Sequence, residues 1–215
     1  MKILIVTGGD VEPAFAAGFL KTYGAFHVIA VDGGLKAAEG LGLMPDAVVG
    51  DFDTVSIEAL DCYKKMGIHI EVHKPEKDCT DTELALLYAL SLPEVSQIVI
   101  LGGLGRRFDH AMGNVQILFH ALKQKVPCCM VDSYNRISLL EGTAEIERSK
   151  TWGRYISLIP FTEQVKGVTL TGFKYPLTKA VLMSGNSLGI SNELLEERGR
   201  IEVEEGILVY IESRD

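Results

Sequence analysis

The feature that most constrains the fold is a series of short apolar segments, most of which end near glycine or aspartate. Over the first 132 residues they alternate with segments whose apolar residues recur at helical spacing. The apolar segments are KILIVTGG, HVIAVDGG, DAVVGDFD, HIEVH, QIVILGG and CCMVD. Buried strands separated by amphipathic helices predict an α/β unit with a mainly parallel sheet, because parallel crossovers need a long connection.

The helical segments of this region carry start and stop signals. PAFAAGFLKTYG has a proline near its start and a glycine at its end, and SIEALDCYKKMG offers Ser56 as an N-cap. TDTELALLYALSL contains a capping box formed by Thr80 and Glu83. The fourth predicted helix is DHAMGNVQILFHALKQK.

After Asp132 the pattern changes to short strands separated by Gly, Pro, Asn and Ser. The segments are NRISLLEG, AEIERS, RYISLIPFT, GVTLTGF, AVLMSG, GRIEVEEG and ILVYIES. They predict an all-β domain, a sandwich or partial barrel, in which only SNELLEE is expected to form a helical turn or two. The predicted fold class is therefore α/β followed by all-β, with domains at residues 1–133 and 134–215.

Charge and composition exclude several classes of function. A formal net charge of -8 argues against non-specific nucleic-acid binding, because phosphate backbones favour Lys and Arg. We find no apolar run of membrane-spanning length, and MKILIVTGGD is interrupted too early for a signal peptide. The four cysteines form no CxxC pair, so reduced thiols in a cytoplasmic protein are expected.

Unusual residues gather at the ends of the predicted strands. They lie at residues 8–10, 32–34, 50–53 and 102–105, and glycine and aspartate dominate them. Ligands of a parallel α/β sheet bind beyond the carboxyl ends of its strands. The four clusters are therefore expected to converge on one binding site.

Asp51 and Asp53 flank Phe52 in an extended segment, so their carboxylates are expected to share one face. A divalent cation would turn their mutual repulsion into coordination, and Mg2+ is commonly held by one or two carboxylates together with substrate phosphates. In the alternative interpretation, one aspartate caps the helix near Ser56 and the other is solvated.

KPEKDCTDTELAL adds Asp78 and Asp81 beside this pair. Asp81 lies in the first helical turn, where the helix dipole alone would favour a negative charge. Four aspartates at neighbouring strand exits favour the metal interpretation over that simpler one. Lys74 and Lys77 flank them and are candidates for phosphate contacts, or are ordinary solvated lysines.

GGLGRRFDH follows a strand and precedes a helix, which is an arrangement suited to phosphate. Arg106 and Arg107 supply forked donors, but the glycine spacing matches neither a P-loop nor a dinucleotide fingerprint. Asp109 is a candidate N-cap or a catalytic group, and His110 packs or caps. The residues alone thus predict a magnesium-dependent site for a phosphorylated ligand such as a nucleotide.

Three motifs, in order, resemble those of the thiamine pyrophosphokinase family. They are GDFDTVS, KDCTDTELAL and GGLGRRFDHAMGN. VTLTGFKYPL and SLGISNEL resemble the vitamin-binding β domain of the same family, so the resemblance covers nearly the whole chain. One position departs from the family pattern, since Arg106 stands where glycine is usual. Its side chain either narrows the turn or places a second cation on the triphosphate.

The resemblance implies a pyrophosphotransferase that uses ATP, thiamine and Mg2+. The thiamine hydroxyl would attack the β-phosphorus of ATP, giving thiamine diphosphate and AMP. Residues 1–133 would be the catalytic, ATP- and metal-binding domain, and residues 134–215 the thiamine-binding β-sandwich. A homodimer with thiamine sites between its subunits is also implied.

The resemblance further implies roles for individual side chains. The expected metal ligands are Asp51, Asp53 and Asp81, and the expected catalytic set adds Asp78 and Asp109. The expected ATP and phosphate contacts are Asp32, Lys77, Gly103, Gly105 and Arg107. The expected thiamine contacts are Tyr175, Ser191 and Asn192.

Two other functions remain open from the sequence. A hydrolase or ordinary kinase would use the same aspartates and yield free phosphate or ADP. A sensor would bind thiamine or a nucleotide without turnover, although so many carboxylates near phosphates are more than a binder needs. The sequence does not choose the general base among Asp51, Asp53, Asp78 and Asp109.

Overall fold

The chain divides into two compact units, Met1–Ser133 and Tyr134–Asp215. A computed structural model describes residues 1–24, 26–50, 63–72 and 78–215. Within the described residues, no helix has the length and apolar character needed to cross a bilayer.

The first unit is built on a parallel sheet. Its strands lie in the order β6-β5-β1-β2-β3-β4, and each neighbouring pair is parallel. The strands are β1 (Lys2–Val6), β2 (His27–Val31), β3 (Ala47–Gly50), β4 (His69–Val72), β5 (Gln97–Leu101) and β6 (Cys128–Val131). The helices that the structure describes are α1 (Pro13–Tyr23), α2 (Gly34–Gly40), α3 (Asp81–Ser91) and α4 (Phe108–Lys123).

The central strand sets the register of this sheet. Ile3, Leu4 and Ile5 of β1 are fully buried, as expected for a strand with neighbours on both sides and both faces covered. Val6 pairs with Ala30 of β2 and with Leu101 of β5, so these three strands end at the same level. The loops that follow them therefore meet at one edge.

The helix signals of the sequence act largely as predicted. Pro13 is the first residue of α1, and Gly24 ends it with a φ of 84°. The Thr80 hydroxyl accepts a hydrogen bond from the Glu83 N–H at 3.2 Å, which confirms that half of the capping box. Instead of returning to Thr80, the Glu83 carboxylate contacts His120 of α4 at 3.0 Å.

The helix α2 was not predicted from the sequence. It is only seven residues long and has glycine at both ends, so its helical periodicity is too short to detect. It begins directly after β2, and the Leu35 N–H donates to the Asp32 carbonyl at 3.0 Å.

The second unit contains two antiparallel sheets, as the predicted β-sandwich requires. Their strand orders are β12-β9-β14-β7 and β11-β10-β13-β8. The strands are β7 (Asn135–Leu140), β8 (Thr143–Glu147), β9 (Tyr155–Pro160), β10 (Gln164–Thr171), β11 (Leu177–Met183), β12 (Asn192–Glu193), β13 (Arg198–Glu202) and β14 (Leu208–Ser213). Residues of both sheets form one apolar core that includes Leu158, Val168, Ile201 and Leu208.

The helical turn predicted in SNELLEE is wrong. Asn192 and Glu193 form β12 and pair with β9, and Leu194 forms a bridge with Phe173. Leu194 and Phe173 are both buried in the core of this unit, which holds the segment extended despite its helix-favouring composition.

Candidate active site

The loops that follow β1, β2 and β5 open onto one pocket of about 440 Å³ at the carboxyl edge of the parallel sheet. The first turns of α3 and α4 complete its wall. The predicted convergence is thus seen for these three strand exits, whereas residues 51–62 after β3 lie outside the described residues. The lining residues are Thr7, Gly8, Gly9, Asp10, Val31, Asp32, Thr80, Asp81, Thr82, Gly102, Gly103, Gly105, Arg106, Arg107, His110 and Asn114.

Two glycine loops pack backbone against backbone at the floor of the pocket. A Cβ placed on Gly9 would lie 2.0 Å from the Gly102 carbonyl oxygen, so only glycine allows this approach. The buried Thr7 hydroxyl donates to the same carbonyl at 3.1 Å. The loops after β1 and β5 are therefore fixed to each other before any ligand binds.

Asn114 supports the neighbouring loop from α4. Its side-chain amide is buried and donates to the Gly103 carbonyl at 2.9 Å. The sequence motifs predict roles for Gly103 and Gly105 but none for Thr7 or Asn114. The available signal was a polar side chain on the apolar face of a predicted helix, because a buried amide needs a specific partner.

Asp32 occupies a strained position at the end of β2. Its φ of 45° lies in the left-handed region, which aspartate tolerates better than most residues. Its N–H donates to the Val49 carbonyl at 3.3 Å, which ties it to β3. A Cβ on Gly50 would fall 1.9 Å from Asp32 Oδ1, so the Asp32 carboxylate lies against the residue that precedes Asp51.

The predicted acidic residues divide by position. Asp81 is the first residue of α3 and lines the pocket, whereas Asp78 is exposed and is not among the lining residues. Asp51, Asp53, Lys74 and Lys77 lie outside the described residues. The residues that the structure describes contain no group of three or more His, Cys, Asp or Glu side chains placed to hold a metal ion.

Arg107 and Asp109 form a forked ion pair at the start of α4. Arg107 Nε lies 3.2 Å from Asp109 Oδ1, and Nη2 lies 2.6 Å from Oδ2. The hydrogen bond from Arg107 and then that from the His110 N–H lower the pKa of Asp109 to about 2. Arg107 lines the pocket, whereas Asp109 is not among the lining residues and, with its lowered pKa, is a weak proton acceptor.

The predicted thiamine contacts come together in the second unit. The Asn192 amide is buried and bonds to the Tyr175 backbone twice, accepting from its N–H at 3.0 Å and donating to its carbonyl at 2.8 Å. Ser191 has a φ of 57°, and its N–H donates to the buried Ser157 hydroxyl at 3.0 Å. Asn192 therefore holds the segment that presents the exposed Tyr175 ring.

Charged side chains surround this cluster. The Glu193 carboxylate accepts hydrogen bonds from Arg154 at 2.6 Å and from Lys174 at 3.0 Å, and these contacts lower its pKa. The Lys174 ammonium also lies 5.5 Å from the centre of the Tyr175 ring. No motif in the sequence predicts a role for Arg154, Lys174 or Glu193.

Two family models match the chain in succession. Residues 23–130 match the thiamin pyrophosphokinase catalytic domain, and residues 143–208 match the thiamin pyrophosphokinase vitamin B1 binding domain. The chain belongs to the thiamine pyrophosphokinase family. The predicted family is thus confirmed, and the pocket lies in the unit that matches the catalytic model of the thiamine pyrophosphokinases.

Individual thiamine pyrophosphokinases are similar over most of their length. The Bacillus subtilis protein is 39% identical over 189 residues, which cover 87% of this chain and 87% of the relative. A Bacillus subtilis crystal structure superposes with a TM-score of 0.86 at 35% identity, covering 100% of both chains. The Geobacillus thermodenitrificans structure gives a TM-score of 0.84 at 33% identity, covering 100% of this chain and 98% of that one.

We predict that Asp109 does not titrate in the working range of the enzyme. Its folded pKa of about 2 lies below the ordinary 3.8, so the contribution of its ion pair to folding is complete above the ordinary value. That contribution is lost only as the pH falls towards the folded pKa. The pH profile of kcat/KM measured for Asp109→Asn should therefore keep its midpoints between about pH 6 and 9, although kcat/KM itself should be lower. Loss of one limb of the profile in this variant would contradict the assignment.

We also predict that Asn192→Ala affects thiamine more than ATP. The change leaves the Tyr175 N–H and carbonyl without their side-chain partner, so KM for thiamine should rise about tenfold while KM for ATP changes less than about twofold. Asn186→Ala is the matched control, because Asn186 is exposed and its side-chain oxygen accepts a hydrogen bond from the nearby Leu188 N–H at 3.4 Å. Equal effects of Asn192→Ala on both substrates would count against a separate thiamine-binding role.

Proposed function

We propose that this chain transfers the pyrophosphate group of ATP to the hydroxyl of thiamine, giving thiamine diphosphate and AMP. The observation that carries the proposal is the pocket itself, which combines glycine loops, two arginines and Asp81 in the unit matched by the catalytic family model. The likeness of the second unit to the vitamin B1 binding domain supports thiamine as the acceptor.

The polyphosphate of ATP would bind over the glycine loops. Gly103 and Gly105 line the pocket and let backbone N–H groups approach phosphate oxygens closely. Arg107 lies at the start of α4, where the helix N-terminus also favours an anion. A guanidinium matches two phosphate oxygens at once, so Arg107 would fix the orientation of the chain of phosphates as well as neutralise it.

The donor chemistry fits a magnesium ion. Asp81 places a carboxylate on the pocket wall, and Asp32 places a second one at the neighbouring strand exit. We propose that Asp81 holds the ion together with Asp51 and Asp53, and that Asp78 supports this group. When bound, magnesium would neutralise charge on the polyphosphate.

The transfer forms one bond and breaks one. The thiamine hydroxyl oxygen bonds to the β-phosphorus, while the bond between the β-phosphorus and the bridging oxygen to the α-phosphorus breaks, so AMP leaves with that oxygen. The hydroxyl proton passes to a carboxylate. The ion pair with Arg107 lowers the pKa of Asp109, so Asp109 is a poor acceptor for this proton.

We propose that the second unit binds the vitamin. The exposed Tyr175 ring offers a face for the aromatic rings of thiamine, and Ser191 and Asn192 shape the segment beside it. Three expectations stay predictions. They are the division into a catalytic domain at residues 1–133 and a thiamine-binding domain at residues 134–215, the homodimer, and the cytoplasmic location.

The carboxylates of the catalytic unit would also attract the positively charged thiazolium ring of thiamine.

The product test is phosphorus NMR of the purified protein with ATP, magnesium and thiamine. We expect AMP and thiamine diphosphate to appear in equal amounts. ADP with thiamine monophosphate would instead identify an ordinary kinase, and free phosphate without any thiamine ester would identify a hydrolase. Binding of thiamine with no turnover would favour a sensor.

The metal assignment predicts unequal effects of two neighbouring aspartates. Asp81→Asn should lower kcat at least about a hundredfold, as should Asp51→Asn and Asp53→Asn, because each removes a charge that stabilises the transition state. Asp78→Asn should lower kcat by a smaller factor, since Asp78 is exposed and is not among the residues that line the pocket. Magnesium binding by the nucleotide-bound protein, measured by titration calorimetry, should weaken in Asp81→Asn. Near-normal turnover and metal affinity in that variant would remove the assignment.

A further inference from the structure

A second arginine is held at the pocket by a carboxylate from a different strand exit. Arg106 Nε lies 2.8 Å from Asp10 Oδ2. Asp10 follows β1 and Arg106 follows β5, so the contact joins residues 96 positions apart in the chain. Both residues line the pocket. The ion pair therefore crosses from one glycine loop to the other.

The two loops do not depend on this ion pair for their position. Their backbones are already in contact, since a Cβ on Gly105 would lie 3.0 Å from the Gly9 Cα. The Arg106 and Asp10 side chains are 89% and 64% exposed, and ion pairs this exposed add little to stability. A contact that contributes so little to the fold, at the edge of a ligand pocket, is available for exchange.

The neighbouring arginine is held differently. Arg107 uses two donors on Asp109, which is two residues away on the same turn. Arg106 uses one donor, Nε, on a carboxylate that belongs to another loop. Its pair is the more easily broken of the two, because a single charge-assisted bond is lost instead of a fork.

We propose that Arg106 is an additional phosphate-binding residue, and that the polyphosphate of the nucleotide displaces Asp10 from it. The inference rests on the proposed function, because it takes a nucleoside triphosphate as the ligand. In the structure, Asp10 holds the Arg106 guanidinium at the pocket lining. When the nucleotide binds, Arg106 turns from one carboxylate oxygen to phosphate oxygens, which its planar fork matches in pairs.

The experiment is a double-mutant cycle on ATP affinity. Titration calorimetry measures binding of ATP with magnesium, without thiamine, to the unmodified protein, Arg106→Gln, Asp10→Asn and the double variant. Arg106→Gln should weaken binding about five- to tenfold, because a charge-assisted phosphate contact is lost. Asp10→Asn should strengthen it about two- to fivefold, because Arg106 no longer has to leave a carboxylate. When Arg106→Gln is already present, adding Asp10→Asn should leave the ATP affinity almost unchanged.

Two controls isolate this mechanism. Glu12→Gln removes an exposed acidic side chain from the same loop, outside the pocket lining, and measures the effect of charge alone. Inorganic tripolyphosphate, titrated against the same variants, should show the same signs as ATP if the phosphates are what Arg106 contacts. Thermal unfolding should be similar in all variants, because the pair is exposed.

Several outcomes would overturn the inference. Asp10→Asn would strengthen binding equally in both backgrounds if Asp10 acted only by repelling phosphate. It would weaken binding if the ion pair had to remain intact in the complex. An unchanged affinity in Arg106→Gln would exclude the contact. Each of these results, with thiamine diphosphate still formed by the unmodified protein, leaves the proposed function standing. A protein that bound no ATP would overturn both.

Discussion

The parallel pairing of β1 with both β2 and β5 is the constraint on which the site depends. It makes three strands end at one level, so the loops that follow them must share the same small volume. Glycine then becomes necessary, because the loops after β1 and β5 meet backbone to backbone. The pocket has a polar lining because these glycine-rich loops meet there.

The two units place their polar groups in different ways. In the first unit, backbone groups, the buried Asn114 amide and two paired arginines surround a pocket. In the second unit, the Asn192 amide forms hydrogen bonds with the Tyr175 backbone, and the aromatic ring of Tyr175 stays exposed. This difference agrees with a polyphosphate as the ligand of one unit and a flat organic ring system as the ligand of the other.

The sequence predicts the regular elements well where a local signal decides them. Proline and glycine delimit α1, and Thr80 caps α3, because these effects act within one turn. The short helix α2 and the strand β12 were missed, since tertiary contacts outweigh local preference in segments of this length. The same holds for the site. Aspartate spacing pointed to the pocket, but the pairing of Asp10 with Arg106 joins residues 96 positions apart and depends on a distance that no motif encodes.

Both arginines of the pocket are already neutralised by carboxylates of the same chain. These two arginines therefore offer little unbalanced positive charge to an approaching anion. When a single phosphate ion replaces one carboxylate, one ionic contact is exchanged for another, so the gain in binding free energy is small. A chain of linked phosphates can replace more than one carboxylate while losing its translational freedom only once. If the pocket binds phosphates as proposed, this internal pairing would make it select an anion by its length as well as by its charge.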